Sequence, residues 1–471
     1  MALGRIVFFA AVAVFAGGLF KLLSKETKKY VPDENGWFGT GDPKPDDPAV
    51  RPFKVDVPAD VLKDLKTRLQ NARIGHEQLE DEPTFRYGFN KRTLIEFKEY
   101  WANKYDWKKA ESQLNAFPQF KTQIEGIQIH FLHVKPDAKK YKKTVPLLLV
   151  HGWPGKRLLL IASIYSVCLG NVYEFYKLIP LLTDPQQHGI NSDVAFEVVA
   201  PSIPGYGFSE AAHKRGLSTA TTARIFKKLM VDRLKHPKFF AQGGDWGAAI
   251  TSNVARFYPE HVIGLHLNML FSGMNSARKL FYNVAGSLFP TLVFSQPEYA
   301  SYSMKEILIQ AIKESGYLHL QATKPDTVGV GLNDSPVGLM AYILEKFSGW
   351  THTNNPYLED GGLSQRFTKD ELLTIVTIYW INQNIVPSQR FYREHFADAQ
   401  IRDLNDEFVH VPTGFSAFPH DLIQPPPVEL ARLSYNLTYY KLEREGGHFA
   451  ALEVPKLLAR GIFDFAKKQL R

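Results

Sequence analysis

Gly243-Gly244-Asp245-Trp246-Gly247 stands between two segments of opposite character. Upstream, Lys238-Phe239-Phe240-Ala241-Gln242 reads as a short buried strand, and downstream Ala248 to Tyr258 reads as a helix that Pro259 stops. Glycines on both sides of the aspartate permit a sharp turn that pushes the central side chain out at its apex. A strand–turn–helix elbow of this kind displays a nucleophile. An aspartate at its tip implies attack by a carboxylate on an electrophilic carbon, giving an alkyl ester, rather than acyl transfer by serine. A glycine-rich turn with an aspartate also serves as a plain helix cap, so the surroundings decide its meaning.

Those surroundings alternate strand and helix. Val145-Pro146-Leu147-Leu148-Leu149-Val150 is a continuous apolar run suited to a central parallel strand. It leads into His151-Gly152-Trp153-Pro154-Gly155, where backbone amides can point at a developing oxyanion; the amides of Trp153 and Trp246 are the expected pair. Phe196–Ala200 is another strand, ending in Pro201–Ser209, and Ser218 begins a helix with Ile225, Phe226, Leu229 and Met230 inward. His261–Met269 continues the pattern, and Ile124, Ile127, Ile129 and Phe131 suggest a hairpin before it. Phe408–Val411 and Leu437–Tyr440 read as closing strands. The alternation predicts an α/β-hydrolase fold with a mostly parallel sheet covered on both faces. Residues 271–396 lose the alternation and read as a helical, aromatic lid. The core is then residues 141–270 and 397–471, with an extension over 30–140 that wraps it. Within the extension, Pro58–Arg73 reads as an amphipathic helix, Arg92–Tyr105 as another helix, dense in aromatics, and residues 30–54, rich in Pro, Gly and Asp, as an extended linker. His448, in Gly446-Gly447-His448-Phe449, falls in the loop after the last strand, where this fold keeps its general base; position singles it out among fifteen histidines.

The 471-residue chain has an ordinary globular composition, with 45% hydrophobic and 13% aromatic residues. Its formal charge is +8, and half of it sits in the first thirty residues, where Arg5, Lys21, Lys25, Lys28 and Lys29 outweigh Glu26. No basic-aromatic stripe points to nucleic acid. Cys168 is the single cysteine, so an intrachain disulfide is excluded, which suits a reducing compartment. The uncharged run Ile6–Phe20, extended by Met1–Leu3, Leu22 and Leu23, reads as a retained single-pass anchor over residues 1–29 rather than a cleaved leader. The positive charge after it keeps the catalytic part cytosolic. The sequon Asn436-Leu437-Thr438 would then stay unmodified.

His151–Gly155, Gly243–Gly247, Val411–Pro419 and Gly446–Phe449 together resemble the microsomal epoxide hydrolase family, which includes the juvenile-hormone epoxide hydrolases of insects. Arg51–Val55, Tyr87–Asn90, Phe120–Thr122 and Thr323–Gly329 extend the resemblance over nearly the whole chain. It implies an enzyme of the endoplasmic reticulum membrane that turns small hydrophobic epoxides and water into vicinal diols, without metal, nucleotide or organic cofactor. It also implies roles: Asp245 the nucleophile, His448 the base, Asp421 the acid that orients it, and Tyr317 and Tyr392 the donors that assist ring opening. The family usually has glutamate where Asp421 stands, a change of one methylene in reach. Glu443 and Glu445 lie nearer to His448 in sequence but read as ordinary surface charge. Haloalkane dehalogenation shares the ester chemistry, but its halide wants indole or amide donors where two tyrosines suit an alkoxide. A silent carrier of hydrophobic ligands is the non-enzymatic alternative. The lid suits both broad xenobiotic epoxides, as in detoxification, and a terpenoid hormone epoxide.

One segment departs from the family. Lys156–Gly170, about fifteen residues, separates His151–Gly155 from Val172-Tyr173-Glu174-Phe175-Tyr176, which in the family follow almost directly. Basic at its start and then apolar, it breaks from both flanks and reads as a retained intron or gene-model artefact, the alternative being a genuine extra helix. Displacing the Trp153 amide by ~1 Å would cost about a hundredfold in rate. Peptides spanning Leu158–Gly170, recovered from natively produced protein, would rule out the artefact.

Overall fold

β4 (Lys143–Val150) and β6 (Phe239–Gly243) lie parallel and adjacent, Val150 opposite Gly243, at the centre of the sheet. The computed structural model describes residues 30–152, 171–270, 276–398, 400–401, 404, 407–421 and 424–470. Among these, nine strands form one sheet in the order β1-β2-β3-β5-β4-β6-β7-β8-β9. The others are β1 (Arg51–Phe53), β2 (Gln119–Ile124), β3 (Ile127–Val134), β5 (Val194–Pro201), β7 (Val262–Leu267), β8 (Val409–Ala417) and β9 (Tyr435–Leu442). The six strands from β5 to β9 along the sheet are parallel, and β1, β2 and β3 pair antiparallel at one edge.

The apolar run of β4 is explained by burial on both faces. Leu148 and Val150 enter one core with Ile225, Phe226, Ala249 and Val254 of the helices Thr219–Lys227 and Trp246–Phe257. Leu147 and Leu149 enter the other, with residues of Leu178–Thr183 and Pro455–Gln469. A strand with solvent on one side would need polar alternation, and β4 has none.

Residues 30–54 do more than the expected extended linker. Phe38 is buried and its N–H donates to the Glu125 carbonyl at 2.8 Å. Asp46 accepts from the amides of Glu125 and Gly126 at 2.7 and 2.8 Å, satisfying donors that the β2–β3 turn leaves free. Glu125 in turn forms a buried ion pair with Arg224, both contacts 2.7 Å. Pairing of Arg51 with Lys121 then adds β1 to the sheet. The composition of this stretch concealed that its acidic residue has a specific partner some eighty positions away.

Between β7 and β8 the described chain is helical, from Ala277–Leu288 to Ile385–Ala397. In Lys369–Ile381 almost every residue from Glu371 to Trp380 is buried. It packs against Pro336–Gly349 and against two helices of the N-terminal part, Lys91–Asn103 and Trp107–Leu114. Among the described residues no helix is long and apolar enough to cross a membrane. The expected anchor over residues 1–29 and the segment Lys156–Gly170 lie outside the described residues.

Candidate active site

The elbow begins where β6 ends. Asp245 has φ +64° and ψ −135°, a conformation few side chains adopt without strain, and the helix Trp246–Phe257 starts at the next residue. Two glycines let the surrounding backbone close in. A Cβ on Gly247 would collide with the Val150 carbonyl, and one on Gly152 would collide with Asp245 Oδ1 and the Trp246 amide. Gly152→Ala is therefore expected to cost activity through displacement of the nucleophile, with loss of at least about a hundredfold in kcat/KM in a diol assay.

Asp245 is fully buried, and its two oxygens have different partners. Oδ1 accepts the Trp246 N–H at 2.5 Å, and Oδ2 lies 3.0 Å from His448 Nε2. His448 Nδ1 lies 2.7 Å from Asp421 Oδ1. The structure thus joins Asp245, His448 and Asp421 in one chain of contacts, and the aspartate in place of the family's usual glutamate reaches the imidazole. Burial alone would lower the His448 pKa, but Asp421 and Asp245, one on each ring nitrogen, outweigh it and raise it to about 10. The resting histidine is an imidazolium between two carboxylates.

The loop that carries His448 is held from two sides. Its N–H donates to the Trp350 carbonyl at 2.9 Å, and the Trp350 ring lies edge-on to the imidazole at 5.5 Å. Glu453 accepts from the amides of Gly447 and Phe449 at 3.0 and 2.7 Å. Burial pushes the Glu453 pKa up to about 8, against the pull of those amides. Sequence reasoning passed over Glu453 because its work is to grip two backbone groups. A carboxylate five residues after the base, just before the terminal helix Pro455–Gln469, was the available signal.

Tyr317 and Tyr392 come from different helices, Gly316–Thr323 and Ile385–Ala397, and meet with ring centroids 6.5 Å apart, edge to face. Tyr392 also packs against Trp246 at 5.2 Å, beside the nucleophile, and Tyr317 against Trp350 at 5.7 Å, beside the base. Both expected donors are buried against the triad's neighbours. The Trp246 amide is at the nucleophile, as expected; Trp153 lies outside the described residues. Glu443 differs from its expected character: it is 5% exposed, with Lys441 Nζ at 2.9 Å, whereas Glu445 pairs with Arg366 at the surface.

A second buried pair went unnoticed in the sequence. His151 Nδ1 is 3.1 Å from Glu174 Oε2, and the His151 ring is 5.9 Å from that of His448. Burial pushes the Glu174 carboxyl well above its usual range and the His151 imidazole down to about 3, so burial disfavours the charged form of both beside the triad. Glu174 also accepts the Asn171 N–H at 3.2 Å, in a capping box over the turn Val172–Phe175. Glu174→Gln is expected to fold and turn over near normally, whereas Glu174→Ala leaves buried donors unpaired and costs about 1–3 kcal/mol in denaturant titrations. An open cleft of about 460 Å³ near Lys121, Glu210 and Asn384 touches none of these groups.

Residues 50–159 match the family of the epoxide hydrolase N terminus, and residues 145–418 match the alpha/beta hydrolase fold family. The chain is 44% identical over 455 residues to epoxide hydrolase 1 of Sus scrofa, covering 95% of each. It is 41% identical over 434 residues to the juvenile hormone epoxide hydrolase of Bombyx mori, covering 91% of this chain and 89% of that one. The crystal structure of juvenile hormone epoxide hydrolase from the silkworm Bombyx mori matches with TM-score 0.83 and 39% identity, over 93% of this chain and 99% of that one. The Aspergillus niger epoxide hydrolase structure matches with TM-score 0.68 and 27% identity, over 89% and 96%. An aspartate elbow paired with a histidine and a second carboxylate, on a sheet shared with these proteins, identifies the chain as a member of the epoxide hydrolase family, built on the α/β-hydrolase fold.

Proposed function

We propose that this enzyme opens epoxides through an ester on Asp245 and releases vicinal diols. The observation that carries the reading is the division of labour at the nucleophile: Oδ1 on the Trp246 amide, Oδ2 facing His448. In the first step Oδ2 forms a bond to a ring carbon as that carbon's bond to the epoxide oxygen breaks. The departing electron pair becomes an alkoxide, which takes a proton from the phenol of Tyr317 or Tyr392. Replacing either tyrosine with phenylalanine is expected to slow ester formation by about a hundredfold or more, and the double variant further, in single-turnover quench experiments.

Esterification removes the negative charge of Asp245. One of the two influences that raise His448 is then gone, its pKa falls toward the range where a neutral imidazole is available, and the proton it gives up through solvent balances the one the tyrosinate regains. His448 takes a proton from water, whose oxygen attacks the ester carbon. The Trp246 amide stabilises the oxyanion on Oδ1, and the diol oxygen leaves with the proton that His448 holds. Ester hydrolysis should therefore accelerate with pH through an apparent pKa below that of the free enzyme. Asp421→Asn should shift that limb lower still and slow hydrolysis by about a thousandfold or more. Pre-steady-state rates measured across pH give both quantities.

The helices from Ala277–Leu288 to Ile385–Ala397 act as a lid that brings both tyrosines to the reacting carbon and excludes water. The apolar run Ile6–Phe20 and the basic residues after it support a single-pass anchor in the endoplasmic reticulum membrane with a cytosolic catalytic part. A hydrophobic epoxide dissolved in the bilayer is then close at hand. Alkaline extraction of membranes expressing full-length and truncated chains tests the anchor: equal release of both would refute it. The catalytic reading is tested by a single turnover in heavy-oxygen water with excess enzyme and a styrene-type epoxide. Unlabelled diol with label in the Asp245 carboxylate is the expected result; label in the first-turnover diol would mean direct attack by water.

A further inference from the structure

Away from the triad, two imidazoles and a carboxylate converge. His133 Nε2 lies 2.6 Å and His236 Nε2 3.3 Å from the same oxygen of Glu197, Oε1. One ligand atom from each of the three lies within 4.8 Å of the others. We propose that His133, Glu197 and His236 form a binding site for a divalent transition-metal ion, with Zn²⁺ the best fit to the donors.

The backbone places these groups on rigid supports. β3 and β5 pair antiparallel with His133 opposite Val199, so Glu197 is the diagonal neighbour of His133 on one face of the sheet. His236 comes from the turn before β6, and its N–H donates to the Met230 carbonyl at 2.8 Å. Asp245 follows β6 and His236 precedes it, so the cluster and the nucleophile belong to opposite ends of one strand.

The chemistry favours a metal over a plain ion cluster on two grounds. Two imidazole nitrogens and a carboxylate oxygen are the ligand set of an open zinc site, with water completing the coordination. His236 Nε2 is buried yet has no hydrogen-bond partner among the described residues, because Glu197 Oε1 is already taken by His133 at shorter range. An ion seated between the three would give that nitrogen a bond. Glu197 Oε1 is the oxygen that both imidazoles face. Lys135 Nζ, 3.4 Å from the same oxygen, competes for it, but its side chain is 68% exposed and can swing into solvent. Bound metal would clip β3, β5 and the turn before β6 together without touching the reacting groups.

The test is calorimetric titration of the full-length enzyme, first stripped with chelator, with ZnCl₂ alone, and with CoCl₂ for the visible spectrum. One equivalent should bind, and the cobalt form should show the absorption of a low-coordinate ion. His236→Gln and Glu197→Gln should each weaken binding by at least about tenfold. Zinc should raise the melting temperature of the wild type but not of His236→Gln, and His236→Gln should form diol at the wild-type rate. Absence of saturable uptake, or uptake that both variants retain, would overturn the proposal.

Discussion

Asp245→Ala is expected to reduce kcat/KM for diol formation by about ten-thousandfold or more, the scale seen when a covalent nucleophile is removed. The carboxylate is the atom donor of the first step, and without it no ester can form. Any residual turnover would need water to attack the epoxide carbon directly, a route that gains nothing from the elbow. The substitution also has structural consequences that must be separated from the chemical one. Alanine, like any residue with a Cβ, is strained at φ +64°, and the Trp246 N–H and His448 Nε2 both lose a partner. Asp245→Asn keeps the side-chain volume and an acceptor for the Trp246 amide while removing the charge. Loss of activity in both variants, with melting temperatures near wild type for the asparagine, assigns the effect to nucleophilicity. Diol formation at the normal rate in Asp245→Ala would refute the ester mechanism.

The parts of the molecule legible in the sequence are those whose signal is local. A strand buried on both faces shows as a run of apolar residues, so β4, β5 and β6 could be read directly, as could the elbow, whose glycines answer to contacts with the neighbouring strand. The helix after Asp245 starts two residues earlier than expected because the nucleophile is itself the N-cap. β8 runs from Val409 to Ala417, well past the expected Val411, since Pro412, Thr413 and Gly414 look like turn residues and only pairing with β7 and β9 makes them strand. Groups that act through distant partners left no pattern. Asp46 caps a turn near Glu125, Glu174 meets His151 across the edge of the elbow, and Glu453 grips the amides on either side of the base. Asp421 lies in between: nothing in its own neighbourhood marks it, and resemblance to a family was needed to select it over Glu443, which is nearer in sequence and also buried.

His448→Gln should separate the two halves of the reaction, giving one equivalent of product-like ester per enzyme and then almost none. Ester formation needs the Asp245 carboxylate and a proton donor at the epoxide oxygen, and neither depends on a basic imidazole. Glutamine can still place an amide near Asp245 Oδ2, so the nucleophile keeps much of its orientation. Hydrolysis is different: the ester carbon is a weak electrophile, and the water that attacks it must lose a proton as it does so. Without His448 the neighbouring imidazole of His151, its ring 5.9 Å from that of His448, is held a weak base by burial. Loss of general-base assistance of this kind slows a step by about a hundred- to ten-thousandfold. Mass analysis of the peptide containing Asp245 should therefore show the added mass of the intact epoxide within seconds and for many minutes after. The contrast with Asp421→Asn is informative. There the imidazole remains, so the slowed hydrolysis should keep a pH-dependent limb, moved to lower pH, whereas His448→Gln should show no such limb. A His448→Gln enzyme that released diol at the wild-type rate without a trapped ester would mean that water reaches the epoxide directly, and the roles assigned to both Asp245 and His448 would have to be withdrawn.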